Sequence, residues 1–152
     1  MYHKKEFIIL AGLAFFAIVL FACAPANPFP LSESGSYDFG TRQNYKFTDS
    51  SRNNREISIT VWYPAVLADG ATPSSYNFDT APNSSGAPYP LILSSAKVGS
   101  IFGPHLASHG FVVVGVAGMD YYDPWDKRLI DYPLDILAAL NYVASTPLKG
   151  LE

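Results

Sequence analysis

Two continuous apolar runs constrain the fold of this chain more than any other feature. Tyr89-Pro90-Leu91-Ile92-Leu93 and Phe111-Val112-Val113-Val114-Gly115-Val116 show no polar alternation. Each therefore reads as a strand covered on both faces, the pattern of parallel strands between helix layers. Parallel neighbours need a crossover, and residues 101–109 read as a short helix closed by Gly110 in left-handed geometry. A second helix is expected from Asp131, its N-cap, because Leu134, Leu137, Leu140 and Ala144 recur at helical spacing. Ile136, Ala138 and Val143 widen that stripe, Pro133 is tolerated in the first turn, and Thr146-Pro147 ends the helix.

Upstream the period changes to two. Residues 37–48 are strand-like, and Asp49-Ser50-Ser51-Arg52-Asn53-Asn54 is turn chemistry whose side chains bond their own backbone. Residues 56–63 alternate Ile57, Ile59 and Val61 with Ser58, Thr60 and Trp62, which predicts a strand paired to its predecessor as an antiparallel hairpin. Pro64 is expected to end it by removing a ladder donor. Residues 65–88 are rich in Ser, Pro, Ala, Asn and Gly and have neither period, so they predict a surface excursion or a disordered stretch. The match of Asn83-Ser84-Ser85 to a glycosylation sequon reads as accidental.

The front of the chain has a different character. After Lys4-Lys5-Glu6, residues 7–22 carry no charge and no strongly polar side chain. As a helix these sixteen residues span roughly 24 Å, short of the ~30 Å hydrocarbon core of a bilayer, so a secretion signal fits better than a permanent span. The chain's single cysteine stands where that signal ends. Leu20-Phe21-Ala22-Cys23 resembles the lipobox of bacterial lipoproteins, which implies lipidation of Cys23, a membrane anchor and an extracytoplasmic location. The expected organisation is a signal over residues 1–22, a Pro-rich tether over 23–34 and a domain over 35–152.

Composition removes several classes. With 49% hydrophobic residues among 152, the chain can bury enough surface to fold. A net charge of −3 lacks the basic field that nucleic-acid binding requires, so no nucleic-acid partner is expected. One Cys permits neither an internal disulfide nor a Cys-based zinc site.

Several motifs in order resemble the α/β-hydrolase family, nearest its dienelactone hydrolase and platelet-activating factor acetylhydrolase subgroup. Gly35-Ser36-Tyr37-Asp38-Phe39-Gly40-Thr41-Arg42, Asp49-Ser50-Ser51-Arg52 and Trp62-Tyr63-Pro64-Ala65 are similar to its opening hairpin. Pro90-Leu91-Ile92-Leu93-Ser94-Ser95 and Leu106-Ala107-Ser108-His109-Gly110-Phe111-Val112-Val113-Val114 resemble its strand, oxyanion loop, first helix and next strand. Lys127-Arg128-Leu129-Ile130-Asp131 with Leu134-Asp135 resembles its helix before the nucleophile strand. The resemblance implies a truncated α/β-hydrolase fold: an antiparallel hairpin, then parallel strands with crossover helices. It also implies a serine esterase acting on small-molecule esters or lipids without a cofactor. The family's G-x-S-x-G elbow is absent from these residues, so no catalytic residue is assigned and the chain reads as an N-terminal half, inactive alone. By position only, the resemblance makes the backbone N–H groups of Ala96 and Lys97 oxyanion donors, although the family's His-Gly is missing there.

Three further patterns invite functional readings. Ser108 carries half of a nucleophile motif but runs from helix into strand, the wrong sense for an elbow. His105 and His109 have the i, i+4 spacing of zinc helices, yet Leu106 stands where the general-base Glu belongs, so they read as helix-surface residues and no metal site is assigned. Asp120, Asp123 and Asp126 interleave with Tyr121, Tyr122 and Trp125 after a parallel strand, where ligands of open α/β sheets bind; the aromatics are candidates for a pocket wall, against a solvated loop. The alternative function is a tethered lipoprotein that binds a ligand or partner without catalysis. It would leave the strand over 111–116 without a parallel neighbour, as a long apolar edge.

Overall fold

The computed structural model describes residues 32–71, 77–118, 124–125 and 127–146. The chain divides into two units, Met1–Glu33 and Ser34–Glu152, and the fold described is that of the second. The signal, Cys23 and most of the tether, with Tyr121, Tyr122, Asp120, Asp123 and Asp126, lie outside the described residues.

Strand β1 (Asp38–Asp49) and strand β2 (Arg55–Val66) form the hairpin, in register from Asp38 opposite Ala65 to Asp49 opposite Arg55, with a shift between Arg42 and Tyr45. The connection is a 3-10 turn, Ser50–Arg52, followed by Asn53 and Asn54 at φ 54° and 55°. Asparagine tolerates that left-handed region because its short amide side chain bonds locally. The Asp49 carboxylate accepts from the Ser51 amide at 3.0 Å and the Ser51 hydroxyl at 2.6 Å. The Ser51 hydroxyl, with the Arg52 guanidinium, holds the Asp49 carboxyl below its ordinary pKa.

Strand β3 (Ala81–Pro82) pairs with the end of β2, strand β4 (Leu91–Ser95) leads into helix α1 (Ala96–Ser108), and strand β5 (Val112–Val116) returns parallel to β4. A π-helical turn, Lys127–Asp131, feeds helix α2 (Tyr132–Ser145). The sheet order is β1-β2-β5-β4, with β2 antiparallel to both β1 and β5. This is the expected α/β class: an antiparallel hairpin followed by parallel strands joined by a crossover helix.

Alternation along β2 divides the core into two layers. Ile57, Ile59, Val61, Tyr63 and Ala65 join Val112, Val114 and Val116 under Tyr132 and Ala139 of α2. Trp62 and Val113 point to the other face, against Ala107 of α1. All five residues of β5 are buried, as a strand covered on both sides must be.

The structure corrects several expectations. Pro64 does not end β2, because its carbonyl accepts from the Asn83 amide at 2.9 Å; the missing N–H therefore faces the gap between the β5 ladder and β3. The first helix begins at Ala96 rather than near residue 101, absorbing the segment expected as a loop. Asp131 makes no capping bond and is already helical at φ −66°, ψ −43°, since the π turn runs straight into α2. The leucine stripe of α2 does not face the core: Leu134, Leu137 and Leu140 are 40%, 55% and 40% exposed, while Tyr132, Asp135 and Ala139 are buried. Nor is the strand over 112–116 an edge. It lies between β2 and β4, and among the described residues it is the outer side of β4 that no strand covers.

Of the long connection, residues 77–80 form an excursion stitched to the hairpin. Thr41 N–H donates to the Asn77 carbonyl at 2.8 Å, Asp79 N–H donates to the Thr41 carbonyl at 3.0 Å, and the Tyr63 hydroxyl donates to the Thr80 carbonyl at 2.8 Å. These bonds also occupy part of the β1 edge.

Candidate functional site

The parallel pair β4 and β5 ends with Ser95 opposite Val116, and both carboxyl ends open on the start of α1. Ser95 is the N-cap: its hydroxyl accepts from the Val98 amide at 3.1 Å. Ala96 and Lys97 are thus the first two helical residues, and their N–H groups have no carbonyl one turn earlier to bond. Donors so placed, at the positive end of a 13-residue helix, suit a developing negative charge. The geometry therefore brings Ala96 and Lys97 together as adjacent amides on a helix end.

Tyr132 closes the floor beside them. It is buried, and its hydroxyl donates to the Val116 carbonyl at 3.2 Å. Burial raises the phenol above its ordinary pKa, with the Ser95 hydroxyl opposing that shift, so Tyr132 stays a neutral donor at pH 7. Neither Ser95 nor Tyr132 was singled out by the sequence. A serine directly before an apolar helix was a readable capping signal; the sixteen positions separating Tyr132 from Val116 hid their contact.

Close approach on the α1 side is made possible by glycine. A β-carbon on Gly99 or Gly103 would lie 2.5 or 2.6 Å from the indole of Trp62, and one on Gly115 would lie 2.8 Å from it. These residues form a notch that seats the Trp62 ring and lets α1 lie flat on β2 and β5.

Beyond the carboxyl ends, Trp125 is 69% exposed, while Tyr121 and Tyr122 fall outside the described residues. A separate cleft of about 560 Å³ lies between the hairpin turn and α2, lined by Phe47, Asp49, Arg52, Leu134, Leu137 and Tyr142 among others. Its floor is the stacked pair Phe47 and Tyr142, with centroids 4.4 Å apart.

Ser108 is committed elsewhere. It is 4% exposed, its hydroxyl donates to the His105 carbonyl at 2.7 Å and accepts from the Gly35 amide at 2.9 Å, and its carbonyl accepts from Tyr37 N–H at 3.0 Å. It stitches the entry of the domain to the end of α1. His105 and His109 lie at that same end, their ring centroids 4.8 Å apart.

No known family profile and no characterised protein sequence matches the chain. Among solved structures it is similar to a ferulic acid esterase from Streptomyces cinnamoneus, with a TM-score of 0.46 and 18% identity. The likeness covers 59% of this chain and 36% of the esterase chain, so the protein spans little more than a third of that structure's length.

Proposed function

We propose that the chain is the N-terminal portion of an extracytoplasmic serine hydrolase acting on carboxylic esters or lipids, of the dienelactone hydrolase or platelet-activating factor acetylhydrolase kind. In this reading the chain contributes the oxyanion amides of Ala96 and Lys97, and the nucleophile comes from polypeptide outside these residues. The observation that carries it is the juxtaposition of those amides with the outer side of β4, which no strand covers among the described residues. Both sides of β5 are occupied, and β1 is antiparallel to its neighbour. A further parallel strand has one place to go, beside β4, where its carboxyl end would deliver a nucleophile next to the start of α1. The exposed Leu134, Leu137 and Leu140 support the same reading, since a helix apolar on both faces is normally buried on both.

The test compares two lengths. The 152 residues alone should neither hydrolyse p-nitrophenyl acetate nor react with a serine-directed phosphonate. An extended chain read from the DNA beyond codon 152 should add a strand and a G-x-S-x-G serine, and should do both. Phosphonate labelling of the short chain, or a downstream sequence with no such motif in any frame, would sink the proposal.

We further propose that Cys23 is lipidated and anchors the domain outside the cytoplasm through the tether. Among the described residues no helix is long and apolar enough to cross a membrane. Cys23→Ser should abolish incorporation of labelled palmitate and move the chain from the membrane to the soluble fraction. Unchanged labelling would exclude the anchor. The 560 Å³ cleft favours one alternative, a tethered lipoprotein that binds a ligand without catalysis. On that reading the extended chain stays unreactive.

A further inference from the structure

We propose that the outer face of α1, formed by Val98, Ile101 and Phe102, docks on the lipid surface that holds the Cys23 anchor. The proposal rests on that anchor and not on the esterase reading. The three side chains are 47%, 64% and 54% exposed and stand at i, i+3 and i+4, so they share one face of the helix. The opposite face, with Gly99, Gly103 and Ala107, is buried against Trp62. A contiguous exposed apolar patch marks a contact surface, and a helix lying in the plane of a membrane sinks such a face to the headgroup boundary.

Two observations select lipid as the occupant. The first is where the chain enters the domain. Gly35 N–H donates to the Ser108 hydroxyl at 2.9 Å and Tyr37 N–H to the Ser108 carbonyl at 3.0 Å, which pins the entry segment against the last turn of α1. A cavity of about 400 Å³ between that segment and the helix is lined by Ser34, Tyr37, Phe39, Ile101 and Pro104, so Ile101 belongs both to the entry side and to the apolar face. Gly35 follows Cys23 by twelve residues, and a chain of that length cannot exceed about 43 Å. So short a tether keeps α1 at an effective concentration of about millimolar at the surface, where a patch of three side chains stays docked although it would adsorb weakly from solution. The second observation is charge. The chain holds 13 Asp and Glu, yet none lies between residues 80 and 119, the stretch that includes all of α1. Lys97, exposed, adjoins the apolar face. Five aspartates, from Asp120 to Asp135, lie instead in the stretch that leads into and begins α2, across the sheet. Anionic headgroups repel carboxylates and attract lysine, so of the two outer faces that of α1 suits a membrane.

The test uses the full chain, produced and processed in bacteria, with one added cysteine: Val98→Cys, Ile101→Cys or Phe102→Cys on α1, or Leu137→Cys on the outer side of α2. Each chain is labelled with a thiol-reactive fluorophore and reconstituted into vesicles of phosphatidylethanolamine and phosphatidylglycerol, with and without a lipid bearing a nitroxide high on its acyl chain. Labels at residues 98, 101 and 102 should lose about half or more of their emission to the nitroxide, and the label at residue 137 less than about a tenth, since contact quenching requires the fluorophore at the headgroup boundary. Adding Ile101→Glu to the chain labelled at residue 98 should reduce its quenching to the level of the α2 label. Equal quenching at all four positions, or quenching at residue 137 alone, overturns the proposal. So does a lipidated chain whose α1 labels are not quenched, the result expected if polypeptide or a second copy covers that face. The anchor is read separately: a lipidated Cys23 leaves one reactive thiol per chain, whereas two labels per chain sink the anchor and this proposal together.

Discussion

Asp135→Asn is expected to lower the stability of the domain by about 3 kcal/mol, enough to move its thermal midpoint down by roughly 10 °C. The carboxylate is 2% exposed and is gripped from two directions. Arg52 Nη2 donates to it at 2.7 Å, while Arg55 Nε and Nη2 donate at 2.8 and 2.9 Å. Asn keeps the volume but offers one acceptor where two guanidinium groups need an anion, so both are left under-paired. The Arg52 and Arg55 side chains are 19% and 35% exposed, and this water access keeps the expected loss at the lower end for a broken buried ion pair. The ion pair of Lys46 with Glu56 is equally short at 2.7 Å but more than half exposed, and Lys46→Ala should cost less than about 0.5 kcal/mol. Equal costs in thermal melts of the two variants would show that burial does not set the difference.

Gly103→Ala should destabilise by about 2 kcal/mol, the reverse of the usual gain of about 1 kcal/mol for Ala over Gly inside a helix. The added methyl would sit 2.6 Å from Cδ2 of the Trp62 indole, in a notch completed by Gly99 and Gly115. Either the ring must leave its rotamer or α1 must lift from the sheet. Shortening the ring should relieve the clash, so in a Trp62→Phe background the same substitution should cost clearly less. Denaturant unfolding of the four chains measures that coupling. A Gly103→Ala chain as stable as its parent would mean that the notch does not govern the packing of α1.

Much of the architecture was legible in the sequence because it depends on local period. The switch from alternation at residues 56–63 to unbroken apolar runs at 91–93 and 112–116 marks where a hairpin gives way to parallel strands, and the sheet obeys it. The left-handed Gly110, at φ 86°, was readable for the same reason. The early start of α1 was not, since Gly99 and Gly103 look like loop residues until the Trp62 ring they accommodate is seen. The face of α2 was misread because a leucine stripe and a tyrosine-alanine stripe have the same period. What decides between them is the Asp135 carboxylate, which must meet Arg52 and Arg55 across about eighty residues of sequence.

The candidate site divides along the same line. Ala96 and Lys97 were placed by motif order alone. That their amides open a helix, capped by Ser95 and floored by the buried Tyr132, follows from the meeting of β4, β5 and α2. The sequence by itself determined the strand types, the turns and the β-α-β order, because each depends on side chains within a few residues of one another. Only the tertiary structure decided that, among the described residues, β4 rather than β5 is the edge, and that the leucines of α2 point outward. Those outcomes depend on burial and charge pairing between segments far apart in the chain, where no local pattern carries the information.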